Sequence, residues 1–178
     1  MSILKVAQLG HPVLRKAADL LPLEEIPSSR VQRLIENMVE TMREYDGVGL
    51  AAPQVHESKQ IMVIEVQKNP RYPGAPEIPL MVLINPRITF PPEKKMAEDW
   101  EGCLSVTDLR GKVPRHIQLE VQAYDRAGKE VNLVASLFLA RVIQHEYDHF
   151  VGKVFLDRMK SLKTLSYLAE YHRYWEEA

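Results

Sequence analysis

The fold depends on one stretch, ASLFLARVIQHEYDHF, at residues 135–150. It contains no Gly or Pro, it is long enough for a helix of several turns, and it is apolar on more than one side. A helix with apolar residues around most of its circumference must be buried. The stretch therefore predicts a central helix surrounded by sheets.

The polar end of this predicted helix carries a His-Glu-x-x-His pattern, from His145 to His149. Residues four apart project from the same face of a helix, so both imidazoles can reach one ion, with Glu146 beside them. The pattern alone is weakly specific, and two hydrogen-bonded histidines on an ordinary helix are the alternative. Burying such polar side chains is costly unless they are paired or bind a cation, which favours a metal site.

A catalytic metal ion of this kind usually has three protein ligands and leaves one position to water, so a third ligand is needed. Formal candidates downstream of the pattern are Asp157, Glu170 and His172. The better candidate is Cys103, in the strand-like stretch WEGCLSV at residues 100–106, because a thiolate is a strong ligand for Fe²⁺ or Zn²⁺. Cys103 is the only cysteine, which excludes an intrachain disulfide and leaves a buried apolar filler as the alternative.

A third stretch, GVGLAAPQ at residues 47–54, is small, apolar and uncharged, yet it ends in an amide. Taken alone, it is best interpreted as a helix end followed by a buried turn. In the functional interpretation it is a wall of a substrate groove. Its glycines then allow close approach of a backbone, and Gln54 donates a hydrogen bond to a developing oxyanion.

The remaining patterns predict a single α+β domain over residues 1–178, with small β-sheets packed around the central metal-binding helix. Helical spacing covers 28–47, strand patterns cover 60–66 and 79–85, and a β-hairpin pattern covers 116–134. The proline-rich stretch 67–79 predicts an irregular surface loop. The tail, 161–178, predicts a last helix with its apolar residues inward, namely Leu162, Leu165, Leu168 and Ala169.

Charge and hydropathy exclude several classes of protein. Lys and Arg total 23 against 24 Asp and Glu, a net charge of -1 without long runs of one sign, so no nucleic-acid footprint or electrostatic membrane anchor is indicated. The first residues lack the pattern of a signal peptide, and no apolar run approaches membrane-spanning length. The expected location is the cytoplasm.

Together and in this order, GVGLAAPQ, EGCLS and QHEYDH resemble the three motifs of the peptide deformylase family. The flanks HPVLRK at 11–16, LINP at 83–86 and LRGKVPR at 109–115 look like that family too, and the resemblance covers roughly residues 3–160. Each motif alone is weak to moderate, whereas the combination is highly specific.

The resemblance implies roles for particular residues. Cys103, His145 and His149 would hold the metal, and Glu146 would act as general base and acid. Gln54 and the backbone N–H of Leu104 would stabilise the oxyanion. The expected substrate contacts are Val48 and Gly49 with the peptide backbone, Arg110 with positions downstream of the methionine, Phe138 and Val142 as walls of the methionine pocket, and Glu101 as a partner for an arginine or for a ligand's amide proton. For Phe138 and Val142, a plain core position is the alternative.

The resemblance also implies the reaction, which is removal of the formyl group from the N-terminal formyl-methionine of nascent chains with release of formate. The family metal is Fe²⁺, and Zn²⁺, Ni²⁺ or Co²⁺ can occupy the site. The expected partners are N-formylmethionyl nascent peptides, met at the ribosome, and no membrane or nucleic acid.

Some positions depart from the common bacterial pattern or stay open. Thr107 replaces a common Pro, Phe150 replaces a common Leu, and the loop 67–79 is longer than in shorter members, which bears on subclass and substrate preference. Asp148 either orients a histidine, faces solvent or pairs with an arginine, and Arg141 either pairs or touches substrate. The rival functions are another metal-dependent amidase or peptidase, and a structural metal-binding module without catalysis.

Overall fold

The computed structural model describes residues 2–67, 74–93 and 95–176. Residues 68–73 of the predicted surface loop at 67–79 lie outside the described residues. Within the described ranges, no helix combines the length and the apolarity needed to cross a membrane.

Two antiparallel sheets and three α-helices make up the regular structure of the described residues. The first sheet has the order β1 (Gly49–Ala51), β2 (Ile61–Val66), β3 (Ile78–Thr89), β6 (Gln118–Tyr124) and β7 (Glu130–Ser136). The second has the order β4 (Met96–Cys103), β5 (Val106–His116) and β8 (Ser166–Tyr167). The helices are α1 (Ser29–Glu44), α2 (Leu137–Phe150) and α3 (Leu168–Tyr174). The predicted α+β class, with sheets around a central helix, is confirmed.

Helix α1 forms where its apolar spacing predicts it. The Ser28 hydroxyl accepts a hydrogen bond from the Val31 N–H at 3.3 Å and caps the first turn. Its buried face comprises Val31, Ile35, Met38, Val39 and Met42. This face packs with β2 and β1, so the α1 side of the first sheet forms one apolar core.

The hairpin of β6 and β7 is also confirmed, with the register running from the Gln118–Ser136 pair to the Tyr124–Glu130 pair. In its turn, the Asp125 carboxylate accepts hydrogen bonds from the backbone N–H groups of Ala127 and Lys129. The inward residues of β6 belong to the core cluster that contains α2, so the hairpin builds one wall of the helix environment.

Helix α2 begins at Leu137, two residues later than the sequence predicts. Ala135 and Ser136 continue β7 because they pair with Leu119 and Gln118 of the hairpin partner. Leu137 makes the change of direction with a φ of 52°. From Ala140 onward nearly every residue of α2 is buried, as expected for a central helix.

The prediction for the tail was wrong. Instead of one helix with an inward apolar face, residues 162–174 form a 3-10 turn, the short strand β8 and α3, and α3 has no buried residue. Leu162 is 69% exposed. The cause is long-range pairing: β8 adds to the edge of β5 through the pairs Leu109–Tyr167 and Arg110–Ser166.

Candidate metal centre

Three ligand side chains converge from two elements. His145 and His149 lie one turn apart on α2, and Cys103 ends β4. Their ligand atoms lie within 4.8 Å of one another and all three residues are buried, with Cys103 Sγ at 3.4 Å from His149 Nε2. One thiolate and two imidazoles at this spacing fit a common divalent ion such as Fe²⁺, Zn²⁺ or Co²⁺.

The alternative third ligands are engaged elsewhere. Asp157 pairs with Arg15 and accepts a hydrogen bond from the Val154 N–H. His172 pairs with Glu176, and Glu170 pairs with Arg173. Both pairs lie in or just after α3. Of the downstream candidates, none joins the cluster that the described residues form.

Gln54 and Ser105 surround the cysteine sulfur. The Gln54 Nε2 group lies 3.4 Å from Cys103 Sγ and donates to Ser105 Oγ at 3.2 Å. The Ala51 N–H donates to Gln54 Oε1 at 2.8 Å, which fixes the amide so that its NH₂ points toward the cluster. The Ser105 N–H also approaches the sulfur, at 3.4 Å. Sequence analysis missed Ser105, although it lies in the same EGCLS motif.

The cluster favours the ionised form of the cysteine. Burial opposes ionisation, but the charge of His149 and hydrogen bonds with both histidines hold the pKa of Cys103 well below its usual value. Burial alone would lower the pKa of His145, but hydrogen bonds with Cys103 and Glu101 raise this pKa well above its usual value. The thiolate is the ligating form of cysteine, so the protein prepares the sulfur for a metal ion, which would take the place of the imidazole proton.

Glu146 is buried beside the cluster. Burial raises its pKa to about 7, with the nearby negative charges of Cys103 and Glu101 acting in the same direction and the two histidines opposing. Its Oε2 atom has no hydrogen-bond partner among the described residues. A carboxyl group that titrates near neutral pH and has an unoccupied oxygen is suited to carry a proton during a reaction.

Glu101 is held by three side chains. Arg115 donates to both carboxylate oxygens at 2.9 Å, Arg141 donates to Oε1 at 2.8 Å, and His145 Nδ1 lies 2.9 Å from Oε2. Burial opposes its ionisation, but the hydrogen bonds from Arg115 and His145 keep the pKa of Glu101 well below its usual value. A carboxylate on the second nitrogen of a ligating histidine fixes the ring orientation and leaves Nε2 for the metal.

The same network resolves two alternatives left by the sequence. Asp148 accepts a hydrogen bond from Arg115 Nη1 at 2.6 Å, so it pairs with an arginine. Arg141 forms the ion pair with Glu101 and also donates to the backbone carbonyls of Ala97 and Val113 at 2.8 Å. Glu101 was expected to be a partner either for an arginine or for a ligand's amide proton, and it has arginine partners.

A cleft opens beside the cluster. It brings together most of the residues singled out in the sequence: Val48, Gly49, Gln54, Glu101, Cys103, Leu104, Phe138, Val142, His145 and Glu146. Trp100 and Arg141 also line it. Trp100 was not predicted to lie there, whereas substrate contact was one of the two alternatives for Arg141. Arg110 lies outside this cleft: it is buried, its guanidinium lies over Gly102, and it lines a neighbouring cavity.

Gly49 lies directly against Glu146. A Cβ at this position would lie 2.5 Å from Glu146 Oε1 and 2.9 Å from its Cδ. Only a residue without a side chain therefore leaves room for the carboxylate between β1 and α2.

A buried Cys-His-His cluster with a neutral-range carboxyl group at the base of a cleft defines a metal-dependent hydrolase. The comparisons with known proteins agree, because the family model described as polypeptide deformylase matches residues 3–165. The chain belongs to the peptide deformylase family, which is metal-dependent, acts in protein biosynthesis and removes the formyl group from N-terminal formyl-methionine. The resemblance seen in the motifs is thereby confirmed.

Individual relatives match over most of their length. Peptide deformylase 2 of Nostoc sp. is 42% identical over 165 residues, covering 92% of this chain and 90% of the relative. Peptide deformylase 1 of Bordetella pertussis is 40% identical over 162 residues, covering 91% and 90%. Among solved structures, the Met-Ala-Ser-bound class I type b peptide deformylase from Acinetobacter baumannii has a TM-score of 0.85 at 39% identity, covering 88% of this chain and 98% of that one. The actinonin-bound form of that enzyme has a TM-score of 0.80 at 35% identity, covering 89% and 99%.

Proposed function

We propose that this chain deformylates N-formylmethionyl nascent peptides with one divalent ion held by Cys103, His145 and His149. The observation that carries the proposal is that the three ligand atoms lie within 4.8 Å of one another, and that Cys103 and His145 line a cleft together with Glu146. We propose Fe²⁺ as the native ion, with Zn²⁺, Ni²⁺ or Co²⁺ able to replace it. A bound ion supplies Lewis acidity, which makes water nucleophilic at neutral pH.

Glu146 moves the proton. Its carboxylate takes a proton from the water that attacks the formyl carbon, and then passes a proton to the amine of the methionine as the C–N bond breaks and formate leaves. A pKa of about 7 supports this role because the group can both accept and donate near neutral pH. The position of Gly49 against the carboxylate supports it further, since it sets where Glu146 points.

Gln54 and the backbone N–H of Leu104 stabilise the negative charge that develops on the formyl oxygen. The fixed amide of Gln54 supports this role, because the Ala51 N–H holds its oxygen away from the cleft and its NH₂ beside Cys103. A donor that is already oriented needs no rearrangement during the reaction.

The peptide lies as an added strand beside Val48 and Gly49. β1 is an edge strand of the first sheet, paired on one side with β2, and its other side borders the cleft. Addition of a strand at a free sheet edge is a common mode of peptide binding. Phe138 and Val142, about two turns and one turn before His145 on α2, form the pocket for the methionine side chain. Peptide binding by the related Acinetobacter enzyme supports the substrate class.

The chain acts as one catalytic domain over residues 1–178. Nascent formylated chains are made in the cytoplasm, so this substrate class implies action there, on chains leaving the ribosome. Arg110 contributes to binding of positions downstream of the methionine from its place against Gly102, in the neighbouring cavity.

The test is formate release from formyl-Met-Ala-Ser by anaerobically purified, Fe²⁺-loaded wild type beside Glu146→Gln, with bound metal quantified in both. We expect turnover by the wild type, and a loss of about 10²- to 10⁴-fold in kcat in the variant at equal metal content. Absence of formate from the metal-loaded wild type would refute deformylation. Equal turnover by both proteins would remove Glu146 from the mechanism.

A further inference from the structure

Trp100 has no role in the chemistry described above, yet it lines the cleft. Residues 47–49 and residues 100–104 both line the cleft, so it extends along β4 from the metal ligand Cys103 to Trp100. The formyl group must lie at the metal end, and the peptide extends away from it. The peptide therefore passes Trp100 after the methionine.

Strand alternation decides which peptide side chain faces the indole. In β4, Glu101 and Cys103 are buried on the α2 side, whereas Trp100 and Gly102 are half-buried on the other side. In an extended peptide, successive side chains point to opposite faces. Because the methionine side chain enters the α2 side, the side chain of the second residue points to the side of Trp100. Three strand residues span about 10 Å, within reach of that side chain.

The indole of Trp100 packs against the C-terminal segment, residues 161–176. Its ring centre lies 5.0 Å from that of Tyr171 at an interplanar angle of 66°, and 5.7 Å from that of Trp175 at 51°. Lys112, the register partner of Trp100 on β5, places its Nζ 5.4 Å from the indole centre. Edge-to-face and tilted contacts at these distances are favourable and fix the ring plane.

The C-terminal segment lies on the surface and is attached to β5. α3 has no buried residue, and the segment is held by the two residue pairs of β8, by the hydrogen bond from the Lys112 N–H to Thr164 Oγ1 at 3.3 Å and by packing of α3 against β5. The aromatic contacts with Trp100 thus connect an exposed helix to the wall of the cleft.

We propose that Trp100 is a specificity-determining residue that contacts the side chain of the second residue of the substrate and favours apolar and aromatic side chains there. Tyr171 and Trp175 are positioning residues that hold the indole. The inference rests on the proposed function for the identity of the peptide. It also gives the C-terminal segment a role in substrate preference, which the proposed function does not include.

The experiment compares formyl-Met-Phe-Ser with formyl-Met-Ala-Ser, using the ratio of their kcat/KM values in metal-matched proteins. We expect the wild type to prefer Phe, and Trp100→Ala to lower the Phe-to-Ala ratio about fivefold through KM with kcat retained. Trp100→Phe should keep most of the preference. A ratio unchanged within about twofold in Trp100→Ala would overturn the assignment.

The positioning residues are tested in the same assay. Tyr171→Ala should lower the ratio by a smaller factor through KM, and Tyr171→Phe should restore it because the ring is kept. The matched control is Tyr174→Ala on the same helix, which removes a 68% exposed ring outside the Trp100 cluster and should leave the ratio unchanged. Equal ratios for Tyr171→Ala and Tyr174→Ala would remove the positioning role.

A binding measurement separates this inference from the deformylase assignment. Calorimetric titration of Zn²⁺-loaded wild type and Trp100→Ala with the unformylated peptides Met-Phe-Ser and Met-Ala-Ser requires no turnover. A preference for Met-Phe-Ser that Trp100→Ala abolishes supports the inference even without formate release. Equal affinity of the wild type for both peptides overturns it even where formate release is normal.

Discussion

The Glu101 network and the C-terminal segment show two opposite ways in which other parts of the chain are attached to strands β4 and β5. Glu101, Arg115 and Asp148 are buried and joined by hydrogen bonds of 2.6–2.9 Å, and they connect β4 and β5 to α2. The C-terminal segment lies on the outer face of the same strands with exposed side chains and one short strand pairing. The buried Glu101 network, called the inner network below, orients the candidate ligand His145. The C-terminal segment, called the outer segment below, contacts Trp100 in the wall of the cleft.

The difference teaches where substitutions should matter most. In the inner network each charge is satisfied only by its partners, so removal of one group leaves others buried and unpaired. In the outer segment, water can replace most lost contacts. Stability and metal binding should therefore depend on the inner network, and the outer segment should affect substrate preference with little effect on stability.

The largest expected effect is that of Glu101→Ala. The change leaves the buried guanidinium of Arg141 without its carboxylate and reduces that of Arg115 to its single pair with Asp148, which should lower the free energy of unfolding by about 3–5 kcal/mol. It also frees the His145 ring, so metal affinity should fall about 10- to 100-fold. Urea unfolding and metal titration with a competing chelator measure the two effects. A loss under about 1 kcal/mol would mean that water enters the network.

Gly49→Ala tests the contact between β1 and Glu146. The new methyl group would lie 2.5 Å from Glu146 Oε1, so the carboxylate must move and kcat should fall by about 100-fold or more. Metal content should be unchanged because no ligand is displaced. Gly74→Ala is the matched control, since its Cβ meets nothing within 4 Å and activity should be normal. Normal kcat in Gly49→Ala would show that proton transfer tolerates a displaced carboxylate.

Acid stability provides a second test of the inner network. The pKa of Glu101 in the folded protein lies well below its ordinary value of 4.5, because the hydrogen bonds from Arg115 and His145 outweigh burial. A depressed pKa contributes stability above about pH 4.5, and that contribution is lost as the pH falls toward the folded value. The midpoint of thermal unfolding should therefore fall between about pH 5 and pH 3, and less steeply in Glu101→Gln. Parallel curves for the two proteins would exclude Glu101 as a source of acid sensitivity.

The smallest expected effect is that of Leu162→Ala in the outer segment. Leu162 is 69% exposed, so the free energy of unfolding should change by less than about 0.5 kcal/mol. Leu83→Ala is the matched comparison, because Leu83 is 1% exposed and its truncation should cost about 2–5 kcal/mol. Similar losses in both variants would show that the C-terminal segment is part of the cooperative core.

Local patterns in the sequence were sufficient for much of the fold. The spacing of apolar residues gave α1, the hairpin of β6 and β7, and α2 to within two residues, because each pattern repeats over several turns or strand positions. The start of α2 was placed too early because the pairing of Ala135 with Leu119 on β6 extends β7, and that pairing depends on the register of the hairpin. The tail was mispredicted for a related reason, since its leucine spacing suits a helix while the free edge of β5 offers strand pairing.

For the candidate site too, some features follow from local sequence and others only from the tertiary structure. The spacing of His145 and His149 and the motif around Cys103 predicted a candidate ligand set from the sequence alone, because ligand type and helical spacing are local properties. Only the tertiary structure shows that Glu101 holds His145, that Gly49 lies against Glu146, and that the C-terminal segment supports Trp100. These contacts join residues far apart in the chain, and their geometry depends on how the two sheets pack around α2.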